Sequence, residues 1–538
     1  MKIKNKWGIL ALMSMSMFII VIDTTIMNVS ISALVADLNT SVTGIQSAIS
    51  IYGLVMAAFI LIGAKMADII GKKRAFTLGI ILFGIGTGTA SISNSLGTLI
   101  IGWSIIEGLG SSLMMPNIQT ILRDNYKGKG LAFAYGIIGA VGAIGVAVGP
   151  IVGGFLTSYY SWRWAFRLEL AIVVFVLLMI GTIKKDVLPK IKPKFDFAGA
   201  FLSSIGLASV VLGILAAQNH GWFWAKQPIM IGSNEFAPFG LSITPLLMGF
   251  GFMLLMGLFS WEAHLEEKGE PGLFKPSLFK VVVLRTALNV RFIQMMFMAG
   301  FMFVFPLYLQ LTHGLSAIDT GLALMPNSIA LLITAILGTK LGTKFTSKRI
   351  IQSGLVLSII GFFIMATTVN ADTTLEGAFP GTIVLGFGIG LIVSQIVNLE
   401  LSSVKGEDVA EASGLDGVFQ QLGNSIGVAV IGSILISSLV FGMQTAIDNQ
   451  REYLPEDIRI EINNKLEIGV DLVDDATVHK NLVDYGLSDE MATEITQDYA
   501  NSRTDAFGAG MAFLGFLSGL ALLLTIRMPN VKLLKSDS

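Results

Sequence analysis

Four acids stand inside long apolar runs of this chain. Asp23 lies in the run 8–30, Glu107 in 97–119, Glu169 in 165–183 and Asp416 in 409–440. A carboxylate near the centre of a bilayer costs about 2.5–3.5 kcal/mol on insertion scales, so such residues mark ion or substrate paths. Burial disfavours the charged form of a carboxyl and water restores it. An acid that is alternately dried and wetted can therefore take up and release a proton, which is the chemistry of ion coupling. Hydrogen bonding between helices is the alternative at each position. Glu169 stands close to the end of its run, where Arg163 or Arg167 could pair with it; Arg167 could equally serve as a basic partner for Asp23 or Glu107 across a cavity.

Polar residues extend the pattern. Ser413, Asp416, Gln420 and Asn424 recur at spacings of three and four and so share one helix face. Ser394, Asn398 and Ser402 do the same one run earlier. Such stripes face a polar interior or tie helices together. In the run 286–311, Phe297, Met298, Phe301, Phe303 and Phe305 could line an adaptable apolar pocket, with lipid-facing packing as the other reading. The four histidines are scattered without ligand spacing, there is no cysteine, and no phosphate-cradling Gly-Lys-Ser/Thr loop occurs. No metal site, cofactor, disulfide or ATP-driven pump is therefore expected. Nor is a nucleophile–base constellation present, so an enzyme is not expected.

The elements that must position these residues are membrane helices. Hydrophobic residues make up 53% of the chain and charged ones 14%, with a mean hydropathy of +0.74. These values lie far outside the soluble range. A spanning helix needs about 20 apolar residues, and runs of that kind recur near 8–30, 45–66, 75–93, 97–119, 132–157, 165–183 and 197–217. A second set follows near 243–261, 286–311, 321–338, 350–369, 379–402, 409–440 and 506–527, making fourteen. The first carries Asp23 and no small-residue cleavage site, and reads as a retained anchor.

Charge orients them, because cytoplasmic loops carry the Lys and Arg excess. Lys2, Lys4 and Lys6, then Lys72, Lys73 and Arg74, Arg123, Lys127 and Lys129, the lysines of 184–194, and Lys340, Lys344, Lys348 and Arg349 fall in alternate loops. The loops between, near 31–44, 94–96, 312–320 and 370–378, have no Lys or Arg. An even number of spans with both termini in the cytoplasm follows, in a cell membrane. Residues 441–505 hold fifteen acids against five bases and read as a solvated exterior loop, with short amphipathic helices around Ile458, Ile462, Leu466 and Ile468.

Several segments carry a family likeness. Ala64–Arg74, with Asp68, Gly71, Lys72 and Lys73, forms a tight basic turn between the second and third runs. Asp23-Thr-Thr-Ile-Met-Asn28 occupies the first run, and Gly145-Val-Ala-Val-Gly149-Pro150-Ile-Val-Gly153-Gly154 the fifth. Ser161-Trp162-Arg163-Trp164-Ala-Phe166 precedes the sixth, Phe305–Gln310 follows the ninth, and Ser413–Gly423 opens the thirteenth. Together they resemble the fourteen-helix drug:proton antiporter branch of the major facilitator superfamily. The resemblance implies an all-α membrane protein of two six-helix bundles, residues 1–190 and 266–538, with two additional helices in 191–265, rocking in alternating access. It implies a secondary active exporter whose partners are a small amphipathic or cationic compound, protons and the bilayer, not nucleic acid. An exporter of an endogenous metabolite, lipid or peptide is the alternative, and a non-transporting receptor or scaffold the more distant one; oligomeric state is left open.

By the resemblance, Asp23 handles protons, Asp68 with Lys72 and Lys73 latches the bundles on the cytoplasmic side, and the glycine-rich fifth run lies between bundles. Gly145, Gly149 and Gly153, four apart, let another helix come close, and Pro150 favours a bend. The chain departs from the family pattern at four positions. Ser104 replaces the fourth-run arginine and Glu107 the glutamine three residues on; Asp416 replaces an apolar residue and Gln420 an arginine.

Overall fold

The computed structural model describes residues 4–184, 186, 194–231, 234–370, 375–405, 408–449, 474–484 and 486–530. The apolar runs become fourteen long helices among the described residues. The first six are α1 Lys4–Ile26, α2 Val42–Ile70, α3 Lys72–Ala90, α4 Leu96–Asn125, α5 Lys129–Tyr159 and α6 Arg163–Met179. Two more, α7 Phe197–His220 and α8 Ile243–Lys268, are joined through a short antiparallel ribbon that pairs Ile229 with Phe236. The last six are α9 Val282–His313, α10 Ala317–Leu341, α11 Ser347–Thr368, α12 Phe379–Ser402, α13 Val409–Asn449 and α14 Asp489–Thr525. Thirteen are long and apolar enough to cross a membrane. The remaining one, α3, opens on Lys72, Lys73 and Arg74 and is less apolar for that reason.

Local chemistry sets the ends. Ser41, Ser95, Asp196, Ser242, Ser316, Thr346 and Ser488 each accept a hydrogen bond from a backbone N–H of the turn they cap, satisfying donors that a helix start leaves free. Between α2 and α3 the chain reverses on Gly71 at φ 101°, a conformation that a side chain would strain. Two helices run further than their apolar content indicates. α13 continues to Asn449 and α14 begins at Asp489, so much of the acidic stretch is helix rather than loop. Polar residues prolong a helix already nucleated by its buried part. A short helix, Asp475–Asp484, lies against α14 through the Arg503–Asp475 pair at 2.6 Å. The amphipathic helices expected around Ile458–Ile468 lie outside the described residues.

Helices α1–α6 pack as one bundle and α9–α14 as a second, with α7 and α8 stacked on each other and α7 resting on α2 and α13. The bundles meet along α2 with α13 and along α5 with α10. The end carrying the α2–α3 and α10–α11 turns bears the Lys and Arg clusters and is called the basic end. Phe297, Phe301, Phe303 and Phe305 are fully buried, with Phe297 5.8 Å from Phe362 and Phe305 6.3 Å from Phe507 between ring centroids. They fill the second bundle's core, so neither an apolar pocket nor a lipid-facing surface describes them.

Candidate functional site

The first site is built where α4 leaves regular geometry. Residues Ile100–Glu107 form a π-helix, whose wider turn is often found at functional positions. It turns Trp103, Ser104 and Glu107 inward, while Ile101 and Ile105 stay exposed. Ser104 donates to the Ala48 carbonyl of α2 at 2.7 Å, occupying the place of the family arginine with a helix–helix tie. Trp103 Nε1 donates to Asp23 of α1 at 2.9 Å, and its ring stacks on Tyr52 at 5.6 Å. Glu107 accepts from Thr87 of α3 at 2.6 Å. Gly86 is what brings α3 so near, since a Cβ there would stand 2.5 Å from the Glu107 nitrogen.

Glu169 of α6 completes the group. Asp23, Glu107 and Glu169 are each at most 1% exposed, and their carboxylate oxygens converge within 4.8 Å. One oxygen of each acid, Asp23 Oδ2, Glu107 Oε1 and Glu169 Oε2, has no partner. Among the described residues no Lys, Arg or His pairs with any of the three. Three like charges cannot be held together this closely in a dry interior, so the cluster needs protons or a cation. A hard cation such as calcium takes about six to eight oxygens; three free oxygens beside Trp103 and Thr87 donors suit protons better.

The two bases that could have joined this cluster do not. Arg163 pairs with Asp37 at 2.5 Å and donates to the Ser93 carbonyl at 2.7 Å. Arg167 is exposed, its guanidinium 4.9 Å above the Trp164 ring. Glu169 is thus free of both, and the missing fourth-run arginine is not replaced by Arg167. Arg167 lies two residues before Glu169, about 200° around the helix at 3.6 residues per turn, and so on the opposite face of α6.

Asp416 belongs to a second constellation. It pairs with Arg291 of α9 at 3.2 Å. Arg291 also donates to Gln294 at 3.0 Å and to Gln420 at 2.9 Å. Glu400 of α12 is fully buried, and neither of its oxygens has a hydrogen-bond partner. Pattern reading did not single out Arg291 or Glu400, although both are charges inside the runs 286–311 and 379–402, the signal that identified the other acids. The rest of the α13 stripe divides. Ser413 bonds Gln119 of the first bundle, and Asn424 donates to Gln421 at 3.4 Å. Asn398 is exposed; the polar residues that α12 buries are Thr382, Gln395 and Glu400, so the Ser394–Asn398–Ser402 stripe lies beside the interior face rather than on it.

The basic turn and the glycine helix also differ in their contacts from expectation. Lys72 pairs with Asp124 at 2.6 Å, and Asp186 accepts from the backbone of Lys73 at 2.8 Å and of Arg74 at 3.2 Å. Those contacts are internal to the first bundle and its following segment, and Asp68 is exposed. At this end the bundles are joined instead by Lys65–Glu411 at 3.3 Å and by Gln119 with Ser413. Gly145, Gly149 and Gly153 of α5 face Val21, Thr25 and Ile26 of α1, inside the first bundle. Only the adjoining face, Pro150 and Gly154, meets α10 at Gly321 and Ala317, with the Ile318 N–H donating to Ser158 at 3.1 Å.

Residues 13–428 match the family model for the Major Facilitator Superfamily. The chain is 28% identical over 454 residues to the "Probable actinorhodin transporter" of Streptomyces coelicolor, covering 83% of this chain and 75% of that protein. It is 24% identical over 476 residues to the "Multidrug resistance protein Stp" of Mycobacterium tuberculosis, covering 86% and 84%. With the "Multidrug transporter protein MdtP" of Bacillus subtilis it shares 24% over 424 residues, covering 78% and 73%. Among solved structures, an inward-facing bacterial homolog to the human lysosomal transporter Spinster superposes with a TM-score of 0.60 at 16% identity over 98% of both chains, a likeness of fold.

Proposed function

The chain belongs to the major facilitator superfamily, and on that premise we propose that it is a proton-driven exporter of amphipathic or cationic organic compounds. It is a transporter rather than an enzyme. The observation that carries the coupling is the dry cluster of Asp23, Glu107 and Glu169, three carboxyls with a free oxygen each and, among the described residues, no counter-cation. Protonated, the cluster is neutral and tolerates burial. When rocking of the bundles admits water, protons leave, and the resulting negative charge is relieved by a cationic compound or by new protons from the other side. Each proton entering across 100 mV supplies about 2.3 kcal/mol.

Movement can reach the cluster through α5, which touches α10 of the second bundle on one face and α1, the helix of Asp23, on another. The relatives' names, multidrug and antibiotic transport, support an organic substrate. An exporter of a metabolite made by the cell itself is the second reading, supported by the actinorhodin relative. In either case the basic end faces the cytoplasm with both termini, and the bundles correspond to 1–190 and 266–538, with 191–265 between them.

The test is efflux of ethidium from proteoliposomes holding the purified full chain under an imposed pH gradient. Asp23→Asn and Glu107→Gln are each expected to abolish gradient-driven efflux while ethidium exchange at equal pH persists. Gradient-driven efflux at wild-type rate in both variants would refute the assignment.

A further inference from the structure

The connection between α7 and α8 divides by charge. Its stretches nearest the two helices, Gly221-Trp-Phe-Trp-Ala225 and Phe236-Ala-Pro-Phe-Gly-Leu-Ser242, hold no charged residue, and Lys226 and Glu235 lie beyond them. The two uncharged stretches pair with each other. Ala225 N–H donates to the Gly240 carbonyl at 3.0 Å, and Ser242 N–H to the Phe223 carbonyl at 2.9 Å. Ser242 caps α8, so Phe223 and Trp224 are held level with the start of that helix. The side chains of this base point outward: Phe239 is 96% exposed, Trp224 71% and Phe223 69%, with Trp222 and Phe236 exposed beside them. Phe239 also stands at φ 58°, a left-handed conformation that strains a bulky residue and marks positions where the strain serves a contact. Five exposed aromatics on one short connection form an interaction surface.

Its level identifies the partner. The apolar span of α7 ends at Ala217 and that of α8 begins at Ile243, so the aromatic base lies at the bilayer boundary, on the side away from the basic end. Tyr159, Tyr160 and Trp164, exposed on the same side, stand at the ends of α5 and α6, the level where Tyr and Trp gather in membrane proteins. Leu246, Phe250 and Met253 of α8 continue an exposed apolar face from there towards the bilayer centre. We propose that the α7–α8 connection is a membrane-surface anchor, whose aromatic base seats in the lipid headgroup layer while Lys226 and Glu235 stay in water. An aromatic ring gains apolar contact at that depth, and an indole N–H keeps a hydrogen-bond partner. What is anchored is the seam between the bundles. Leu207 and Val211 of α7 pack with Leu54 and Ala57 of α2, and Val210 and Ile214 with Ala429 of α13. A helix pair held by the bilayer stays in place while the bundles move against it, whatever ion drives them.

Because the chain has no cysteine, a nitroxide on one introduced thiol reports one position. In the full chain reconstituted in phosphatidylcholine vesicles, power-saturation EPR compares collisions with oxygen, which favours lipid, and with a water-soluble nickel chelate. Met253→Cys gives the lipid reference and Glu235→Cys the water reference. Labels at Phe239→Cys and, independently, at Trp224→Cys are expected to read between the two. Adding Trp222→Ser, Phe223→Ser and Trp224→Ser together should shift the Phe239→Cys label to the water value. Nickel accessibility at both Phe239→Cys and Trp224→Cys equal to that at Glu235→Cys overturns the proposal, as does a Phe239→Cys label that keeps its depth without the three aromatics. Dipolar broadening between Phe239→Cys labels would show that a second copy of the chain covers the surface instead, and overturns it too.

Discussion

Arg291 sits 3.2 Å from Asp416 with both side chains 8% exposed, so neither charge has water to fall back on. Removing one member of such a pair strands the other, at a cost of about 3–5 kcal/mol. Arg291→Met is accordingly expected to lower thermal stability of the purified protein sharply, and Arg291→Met with Asp416→Asn to recover most of it; a thermal-shift series in detergent checks both. Recovery would show that the cost lies in the stranded charge rather than in the lost packing of either side chain. At this scale the four acids announced themselves, because a charge in an apolar run is visible in a linear string. Their partners did not. Arg163 and Arg167 precede Glu169 by six and two residues, yet its neighbours are Asp23 and Glu107, from helices more than sixty residues away.

The glycines of α5 show the same division at the scale of the element. A four-residue repeat of small side chains predicts close approach by another helix but carries no information on which helix. The structure assigns Gly145, Gly149 and Gly153 to α1 and leaves Pro150, Gly154 and Ser158 for α10. A Cβ at Gly153 would stand 2.8 Å from the Ile26 carbonyl oxygen, and backbone cannot yield as a flexible side chain would. Gly153→Ala should therefore push α1 from α5 and cut the ethidium efflux rate by about tenfold, the effect of some 1.4 kcal/mol on the barrier, with little change in membrane yield. Efflux at the wild-type rate would show that this contact is not part of the moving machinery. The π-helical stretch of α4 was not legible beforehand, since Ile100–Glu107 has the composition of any membrane helix. It is supported by tertiary ties, Ser104 to Ala48 and Trp103 to Asp23.

For the molecule as a whole, the absence of cysteine makes single introduced thiols unambiguous reporters. Lys127 and Asp319 are exposed at opposite ends. In intact cells, Asp319→Cys is expected to react with a membrane-impermeant maleimide and Lys127→Cys to react only after the membrane is opened. The reverse pattern would overturn the orientation drawn from the Lys and Arg alternation. The architecture itself was determined by the order of residues: the number of helices, the alternation of basic ends and the family follow from apolar length and loop charge. Both act locally along the chain, because each span must satisfy the bilayer by itself. The sites were decided only by the tertiary structure. That Asp23, Glu107 and Glu169 share one dry cluster, that Arg291 holds Asp416, and that Lys65 and Glu411 join the bundles where Lys72 does not, all depend on which helix faces meet. Small residues such as Gly86 and Gly153 permit those meetings, and only assembled helices can select among them.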